Sequence, residues 1–368
     1  RTIREPRIYL VTGKSSLKQS GYLEIIKSNL SEANIFVEVY DKAGKEPTTN
    51  ILNKGKEEFL EKGCDLIVGV GGGSVMDTAK GIAGLASNGG IVEDYHAGRE
   101  FINPPVPFIL IPTTAGTGSE VTNNAVIKDA EKGIKKSIRG LYATVALLDP
   151  EITLSLPKTF TAYPGADALV QAIESLVSKA SNYISDLFAK ESIKLLGKSL
   201  PKVYDDLDNV VLREKMMLGS LLGAISFANG KLGAVHGFAH PIGVKHNVPH
   251  GLICGLLLPY VMEYNIALES VVDKYAWIAE LFRFQKILTN YGESSSKLPK
   301  EKKEKAKWVI QKIKDIFTYI DIPMHLTEIG IEEEHLDAIV IETKGSSLDN
   351  NPRDTDKESL KNILLNAL

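Results

Sequence analysis

Four short apolar runs recur within the first 115 residues, and a glycine turn follows the third. They are RIYLVTG at 7–13, IFVEVY at 35–40, the start of CDLIVGVGGGSVMDTAKGIAGLA from Cys64, and PFILIPT at 107–113. A continuous apolar run of that length reads as a strand buried on both faces. Between the runs the apolar residues fall at helical spacing. Leu17, Tyr22, Ile25, Ile26 and Leu30 form one such set, and Ile51, Leu52, Phe59 and Leu60 form another within Thr48 to Lys62. Strand–helix alternation of this kind calls for a parallel sheet with helices on both faces. From about residue 155 the β-type runs stop. Amphipathic segments replace them, at Asp167–Ser178, Ser185–Leu200, Val210–Phe227, Gly251–Asn265 and Val271–Leu281. The change falls near Leu156-Pro157, so an α/β domain over 1–156 and an all-α domain over 157–368 are expected.

Composition narrows the function. A chain of 368 residues has room for about two domains. With 43% hydrophobic and 24% charged residues it is neither collagen-like, nor disordered, nor a coiled coil. Its net charge of −3 gives no basic field, so neither nucleic acid nor an anionic membrane is the expected partner. Two cysteines, Cys64 and Cys254, cannot build a disulfide scaffold, which points to a reduced, cytoplasmic compartment. The longest apolar stretch, Leu252 to Met262, is too short to span a bilayer and contains Pro259. The chain opens at Arg1 with neither an initiator Met nor a signal-peptide pattern. GESSSKLPKEKKEKAK at 292–307 reads as a solvated loop entering a charged helix. No repeat of 20–50 residues is found.

GVGGGSVMDTAKG at 69–81 follows a strand and opens a helix. Gly71, Gly72 and Gly73 let a backbone come close to a ligand, and Ser74 is expected as the N-cap. The outward N–H groups and the positive end of the helix dipole then suit a pyrophosphate. Asp77, one turn in, accepts from a nicotinamide amide or ribose, or else caps. The pattern is neither GxGxxG nor a Walker loop, so a plain tight turn stays open as an alternative. A second small-residue cluster, Pro112-Thr113-Thr114-Ala115-Gly116-Thr117-Gly118-Ser119-Glu120, closes the next strand. Two polar loops on the carboxyl edge of one parallel sheet suit a ligand there.

AVHGFAHPIGVKHNVPHG holds His236, His240, His246 and His250. His236 and His240 share a helix face if the helix reaches that far, though Pro241 can start a new segment. Asp167 and Gln171 are likewise four apart. A carboxylate and two imidazoles from separate helices are ligand types for Fe²⁺ or Zn²⁺. Plain hydrogen bonding among the histidines is the alternative.

GGGSVMDTAK, IPTTAGTGSEVT, DALVQAIE and HGFAHPIGVKHNVPHG, in that order, resemble the iron-containing (group III) alcohol dehydrogenase family. The resemblance runs from about Arg7 to NPRDTDKESLKNIL. It implies a dinucleotide-binding α/β domain over 1–156 and a helical metal and substrate domain over 157–368, an architecture shared with dehydroquinate synthase. It also implies a metal and active site in the cleft between them. The family carries further strands before RIYLVTG, so the first strands are expected to be missing here. By resemblance Gly71, Gly72, Gly73, Ser74, Asp77, Thr113, Thr114, Ser119 and Lys135 bind the cofactor. Asp167, Gln171, His236 and His250 take the metal positions, and His240 relays a proton. The family has histidine where Gln171 stands, and glutamine offers only a neutral oxygen. Three readings stay open: weaker binding by Asp167, His236, His250 and water; recruitment of His246 or another neighbour; or loss of the metal.

The implied reaction is reversible hydride transfer between NAD(P)H and a small aldehyde or alcohol, by a homodimer or larger assembly. At Gly13, where NAD-using members often carry Asp, the acid is absent. Gly13, Lys14, Ser15 and Ser16 can accept a 2′-phosphate, which favours NADP over NAD. Lys231, just before His236, would favour an anionic aldehyde if it points into the active site, and otherwise reaches to solvent. The competing functions are a metal-free NAD(P)-binding reductase or impaired family member, and a dehydroquinate-synthase-like lyase.

Overall fold

A computed structural model describes residues 5–283 and 298–368. The chain condenses into two compact units, one of Arg1–Thr114 with Gly118–Ser155, the other of Ala115–Thr117 with Leu156–Leu368.

The first unit runs β1 (Arg7–Gly13), α1 (Ser16–Gln19), α2 (Tyr22–Glu32), β2 (Phe36–Ala43), α3 (Thr49–Lys62), β3 (Leu66–Gly71), α4 (Gly73–Asn88), α5 (Val92–His96), β4 (Phe108–Pro112), β5 (Asn124–Asp129), β6 (Ile134–Arg139) and β7 (Val145–Ala146). Its main sheet is parallel, in the order β2-β1-β3-β4-β7. Alternation in β1 sorts the two faces. Tyr9 and Val11 pack with Phe59, Met76 and Ile82 of α3 and α4. Ile8 and Leu10 pack with Leu17 and Leu23 of α1 and α2. The chain leaves β1 toward β2 and returns past it to β3, so the strand order reverses between β1 and β3. Ligands of open parallel sheets bind outside the carboxyl ends at such a reversal. Here those ends are Gly13 and Gly71.

Three details depart from the sequence reading. The first helical stretch splits at Gly21, whose φ of +82° only glycine adopts easily. Ile25 and Leu60, expected on buried faces, are 52% and 55% exposed. The antiparallel β5–β6 hairpin was not expected, because KSIR and its flanks alternate polar residues with only a few apolar ones.

The second unit is helical: α6 (Lys158–Val177), α7 (Tyr183–Asp205), α8 (Val210–Gly230), α9 (Ala234–His246), α10 (His250–Asn265), α11 (Glu269–Phe282), α12 (Lys302–Tyr319), α13 (Leu336–Glu342), α14 (Ser346–Asp349) and α15 (Lys357–Asn366). Every residue of α6 from Gly165 to Val177 is buried, so helices pack around it on all sides. It begins well before the expected Asp167. Pro164-Gly165 reads as a stop, but the turn tolerates the one N–H that Pro164 lacks. Helix α9 likewise continues through Pro241 to His246, which places His236 and His240 one turn apart on one helix. Residues 292–297 of the expected solvated loop lie outside the described residues, and the charged helix it enters is α12. Among the described residues no helix is long and apolar enough to cross a membrane.

Candidate metal centre and nucleotide loops

On α6, Asp167, Gln171 and Glu174 stand at i, i+4 and i+7, one face of a helix. All three are buried, at 2%, 4% and 3% exposure. A polar stripe on a fully buried helix must be satisfied by partners or serve a ligand. Glu174 is satisfied: its Oε1 accepts from the Val235 backbone N–H at 2.7 Å, and its Oε2 lies 2.6 Å from His236 Nδ1. A carboxylate on Nδ1 turns the other ring nitrogen outward as a free lone pair, the arrangement that orients metal-binding histidines.

That nitrogen, His236 Nε2, lies 3.3 Å from Asp167 Oδ1. His250 Nε2 lies 3.7 Å from the same oxygen. Asp167 Oδ1 is buried and has no hydrogen-bond partner, while Oδ2 accepts from Gln171 Nε2 at 3.0 Å. Burial works to raise the Asp167 carboxyl, but His250 and His236 outweigh it and hold the group below its ordinary range. A buried carboxylate oxygen with two imidazole nitrogens around it and no hydrogen bond fits a divalent cation.

A fourth donor joins them that the sequence reading did not name. Cys254 is fully buried on α10, one turn after His250, and Asp167, His236, His250 and Cys254 each bring an atom within 4.8 Å of the others. The signal was in HGLIC, four residues apart, but cysteine was weighed only for disulfides. His246, considered as a recruited neighbour, instead packs its ring at 5.0 Å from that of His335 and is outside the cluster. His240 is exposed, one turn beyond His236 on α9. Lys231 is exposed at the C-cap of α8, with φ +63° and ψ −177°, a region nearly reserved for glycine.

Helix α10 approaches α6 so closely that a Cβ on Gly251 would stand 2.1 Å from the Tyr163 carbonyl oxygen and 3.3 Å from Asp167 Cβ. This contact places His250 and Cys254 over Asp167.

In the first unit, α4 starts at Gly73 with Gly72 as its N-cap, and no side chain caps it. Ser74, expected as N-cap, sits inside the first turn and donates to the Gly44 carbonyl at 3.0 Å. Gly71 is required by packing, since a Cβ there would meet Val75 Cγ2 at 2.5 Å. The two polar loops adjoin: Thr113 N–H donates to the Gly71 carbonyl, and a Cβ on Gly72 would lie 3.4 Å from Thr114 Oγ1. Asp77 accepts from Ser119 Oγ at 2.6 Å and from Val126 N–H at 2.8 Å, so it ties the second loop and β5 to α4. Lys80, not singled out in the sequence, is buried and donates to the Thr122 and Asn124 carbonyls at 2.9 Å each. Burial pushes its amine down to about 8. Lys135, on β6, is ion-paired to Glu46 in the loop after β2. At the end of β1, Gly13 is half-buried and Lys14, Ser15 and Ser16 are exposed. Ser15 is the N-cap of α1 but makes no side-chain cap bond.

The chain matches the model of the iron-containing alcohol dehydrogenases over residues 2–150 and that family's C-terminal model over 161–368. It belongs to the iron-containing alcohol dehydrogenase family. It is 32% identical over 363 residues to an NAD-dependent methanol dehydrogenase of Bacillus methanolicus, covering 98% of this chain and 92% of that one. It is 30% identical over 368 residues to a sulfoacetaldehyde reductase of Bilophila wadsworthia, covering 99% and 92%. A solved 1,3-propanediol oxidoreductase superposes with a TM-score of 0.90 at 32% identity, again over 99% and 92% of the two chains.

Proposed function

We propose that this chain is a metal-assisted oxidoreductase that moves a hydride reversibly between a nicotinamide cofactor and a small alcohol or aldehyde. The observation that carries the reading is the convergence of two imidazole nitrogens on the unpartnered, buried Asp167 Oδ1. Asp167, His236 and His250 would hold the ion. A bound divalent metal supplies Lewis acidity that polarises a carbonyl oxygen and eases loss of an alcohol proton. Glu174 fixes the His236 ring, and Gln171 holds the second oxygen of Asp167. His240, exposed one turn from His236, relays the proton between substrate and solvent. Gly71, Gly72, Gly73, Ser74, Thr113 and Thr114 cradle the pyrophosphate at the start of α4, and Lys135 reaches the ribose. Asp77 and Ser119 act by fixing the loops. The scarcity of cysteine and the family likeness support a cytoplasmic homo-oligomer. Removing metal with a chelator is expected to abolish aldehyde-dependent NADPH oxidation, and restoring Fe²⁺ or Zn²⁺ to recover it. Undiminished turnover in the metal-free protein would overturn the metal-assisted reading in favour of a metal-free reductase.

NADP is the favoured cofactor. Gly13, Lys14, Ser15 and Ser16 offer an ammonium and hydroxyls at the β1 end of the strand-order reversal and no acid to repel a 2′-phosphate. A Cβ at Gly13 would stand 3.7 Å from Ser16 Oγ and 3.8 Å from Val75 Cγ2, ordinary contacts, so a side chain can start there without a clash at Cβ. Gly13→Asp is therefore expected to lower kcat/KM for NADPH by about 100-fold, from repulsion of a few kcal/mol, with NADH spared or improved. A wild-type preference for NADH would remove this assignment.

An anionic aldehyde is the proposed substrate class, on the position of Lys231 five residues before His236. A lysine held at φ +63° and ψ −177° is under strain of about 1–3 kcal/mol, which persists where function keeps it. Lys231→Met should raise KM for a sulfonate- or carboxylate-bearing aldehyde about tenfold and leave a neutral aldehyde unchanged. Equal kinetics on both classes would exclude the lysine from recognition.

A further inference from the structure

We propose that the metal centre of this chain is an aspartate–histidine–histidine–cysteine set, in which Cys254 Sγ takes the coordination place that Gln171 vacates. The inference rests on the metal-assisted reading above and concerns which atoms hold the ion. Cys254 Sγ lies 3.6 Å from His250 Nε2 and 3.9 Å from His236 Nε2, and those nitrogens lie 3.7 and 3.3 Å from Asp167 Oδ1. Donors about 2.0–2.3 Å from a zinc-like ion stand about 3.3–3.8 Å apart at the corners of a tetrahedron. These are four of the six edges, and they lie within about 0.4 Å of the roughly 3.3 Å expected for a nitrogen–oxygen edge and roughly 3.5 Å for a nitrogen–sulfur edge. Each donor also has its own independent reason to face inward. Asp167 Oδ1 is buried without a hydrogen bond. His236 is turned by Glu174. His250 and Cys254 share one face of α10, a single turn apart.

Gln171 Nε2 donates to Asp167 Oδ2, so it braces the ligand beside it, while its Oε1 is buried without a hydrogen-bond partner. Helix α6 thus carries a brace at 171, while the facing helix α10 supplies a sulfur. On binding, the thiol gives its proton to solvent and the thiolate takes the metal, a step with no redox change. A thiolate among the ligands also moves preference from Fe²⁺ toward Zn²⁺. Only His250 among the four is exposed, at 48% of its side chain, so the ion enters from that side.

X-ray absorption of the Zn²⁺-loaded full chain, in a Cys64→Ser background, is expected to show one sulfur at about 2.3 Å beside nitrogen and oxygen at about 2.0–2.1 Å. The Co²⁺ form should show a near-ultraviolet thiolate-to-metal band. Cys254→Ser should lose both signals and weaken Zn²⁺ binding by a factor on the order of 100 or more, above the cost of losing an outer partner. Gln171→Ala should keep the sulfur. One bound ion with nitrogen and oxygen neighbours alone would overturn Cys254 as a ligand and leave the metal-assisted reading standing, with the Gln171 amide oxygen as the donor. A sulfur signal that survives Cys254→Ser would overturn it too. Should Cys254→Ser not fold, the wild-type absorption spectrum decides alone. Conversely, sulfur ligation in a protein whose turnover ignores chelation would uphold this inference and reject the metal's catalytic part.

Discussion

Asp167→Asn is expected to reduce kcat/KM for aldehyde by about 1000-fold or more and to strip the protein of tightly bound metal. The magnitude follows from the several kcal/mol that a Lewis acid contributes, at about 1.4 kcal/mol per tenfold. The substitution keeps the volume of the side chain and removes only its charge. Oδ1 is the oxygen that both His236 and His250 face, and it has no other partner. An amide there offers a neutral oxygen or, rotated, two protons aimed at the imidazoles. In the first orientation the amide nitrogen takes the Oδ2 place and Gln171 Nε2 loses its acceptor; in the second it keeps it. The measurement is elemental analysis of the purified variant with steady-state kinetics, and NADPH affinity by fluorescence as the control. On the proposed function, nucleotide binding rests on the loops of the first unit and should be unchanged. An Asp167→Asn protein with full metal content and turnover within tenfold of wild type would remove Asp167 from the centre.

The second large effect is expected from a methyl group. Gly251→Ala places a Cβ 2.1 Å from the Tyr163 carbonyl oxygen and 2.7 Å from its carbon, and neither atom can swing aside because both are helix backbone. Helix α10 must move off α6 by about 1 Å, which costs about 1–3 kcal/mol of stability as overpacking. The same shift carries His250 and Cys254 away from Asp167. Misplacement by about 1 Å costs on the order of 100-fold in rate. Gly255→Ala, one turn on, is the control: its Cβ would meet the Ile322 Cδ1 methyl at 2.8 Å, the movable end of a side chain. Thermal unfolding and metal affinity should both fall sharply in Gly251→Ala and only slightly in Gly255→Ala. Equal metal affinity in the two would mean that the α6–α10 approach does not set the site.

The sheet was legible because burial on both faces writes itself as uninterrupted apolar runs, and RIYLVTG and PFILIPT have no other use. The β5–β6 hairpin was not, since one of its strands, IKKSIR, carries three cations in six residues. The start of α6 was hidden for another reason. Pro164 and Gly165 are local stop signals, and only packing from all sides overrides them. At the site, Asp167 and Gln171 stood out by their spacing of four and the histidines by their crowding, the resemblance put Asp167, Gln171, His236 and His250 in metal positions, and the structure brings Asp167, His236 and His250 together. Cys254 and Glu174 were missed, because their meaning lies in a spacing of four from His250 and seven from Asp167 and in the helix that faces them. Ser74 misled because a serine after three glycines has the composition of an N-cap, whereas the N-cap is Gly72, two residues earlier.

The seven-residue interval from Asp167 to Glu174 works as a ruler. An α-helix turns about 100° per residue, so one residue added or removed between them would swing Glu174, and with it the His236 ring, a quarter-turn or more from the carboxylate it serves. Gln171, between the two, is tied to the same interval by its hydrogen bond to Asp167 Oδ2. A substitution at 171 leaves the interval intact, whereas an insertion or deletion does not.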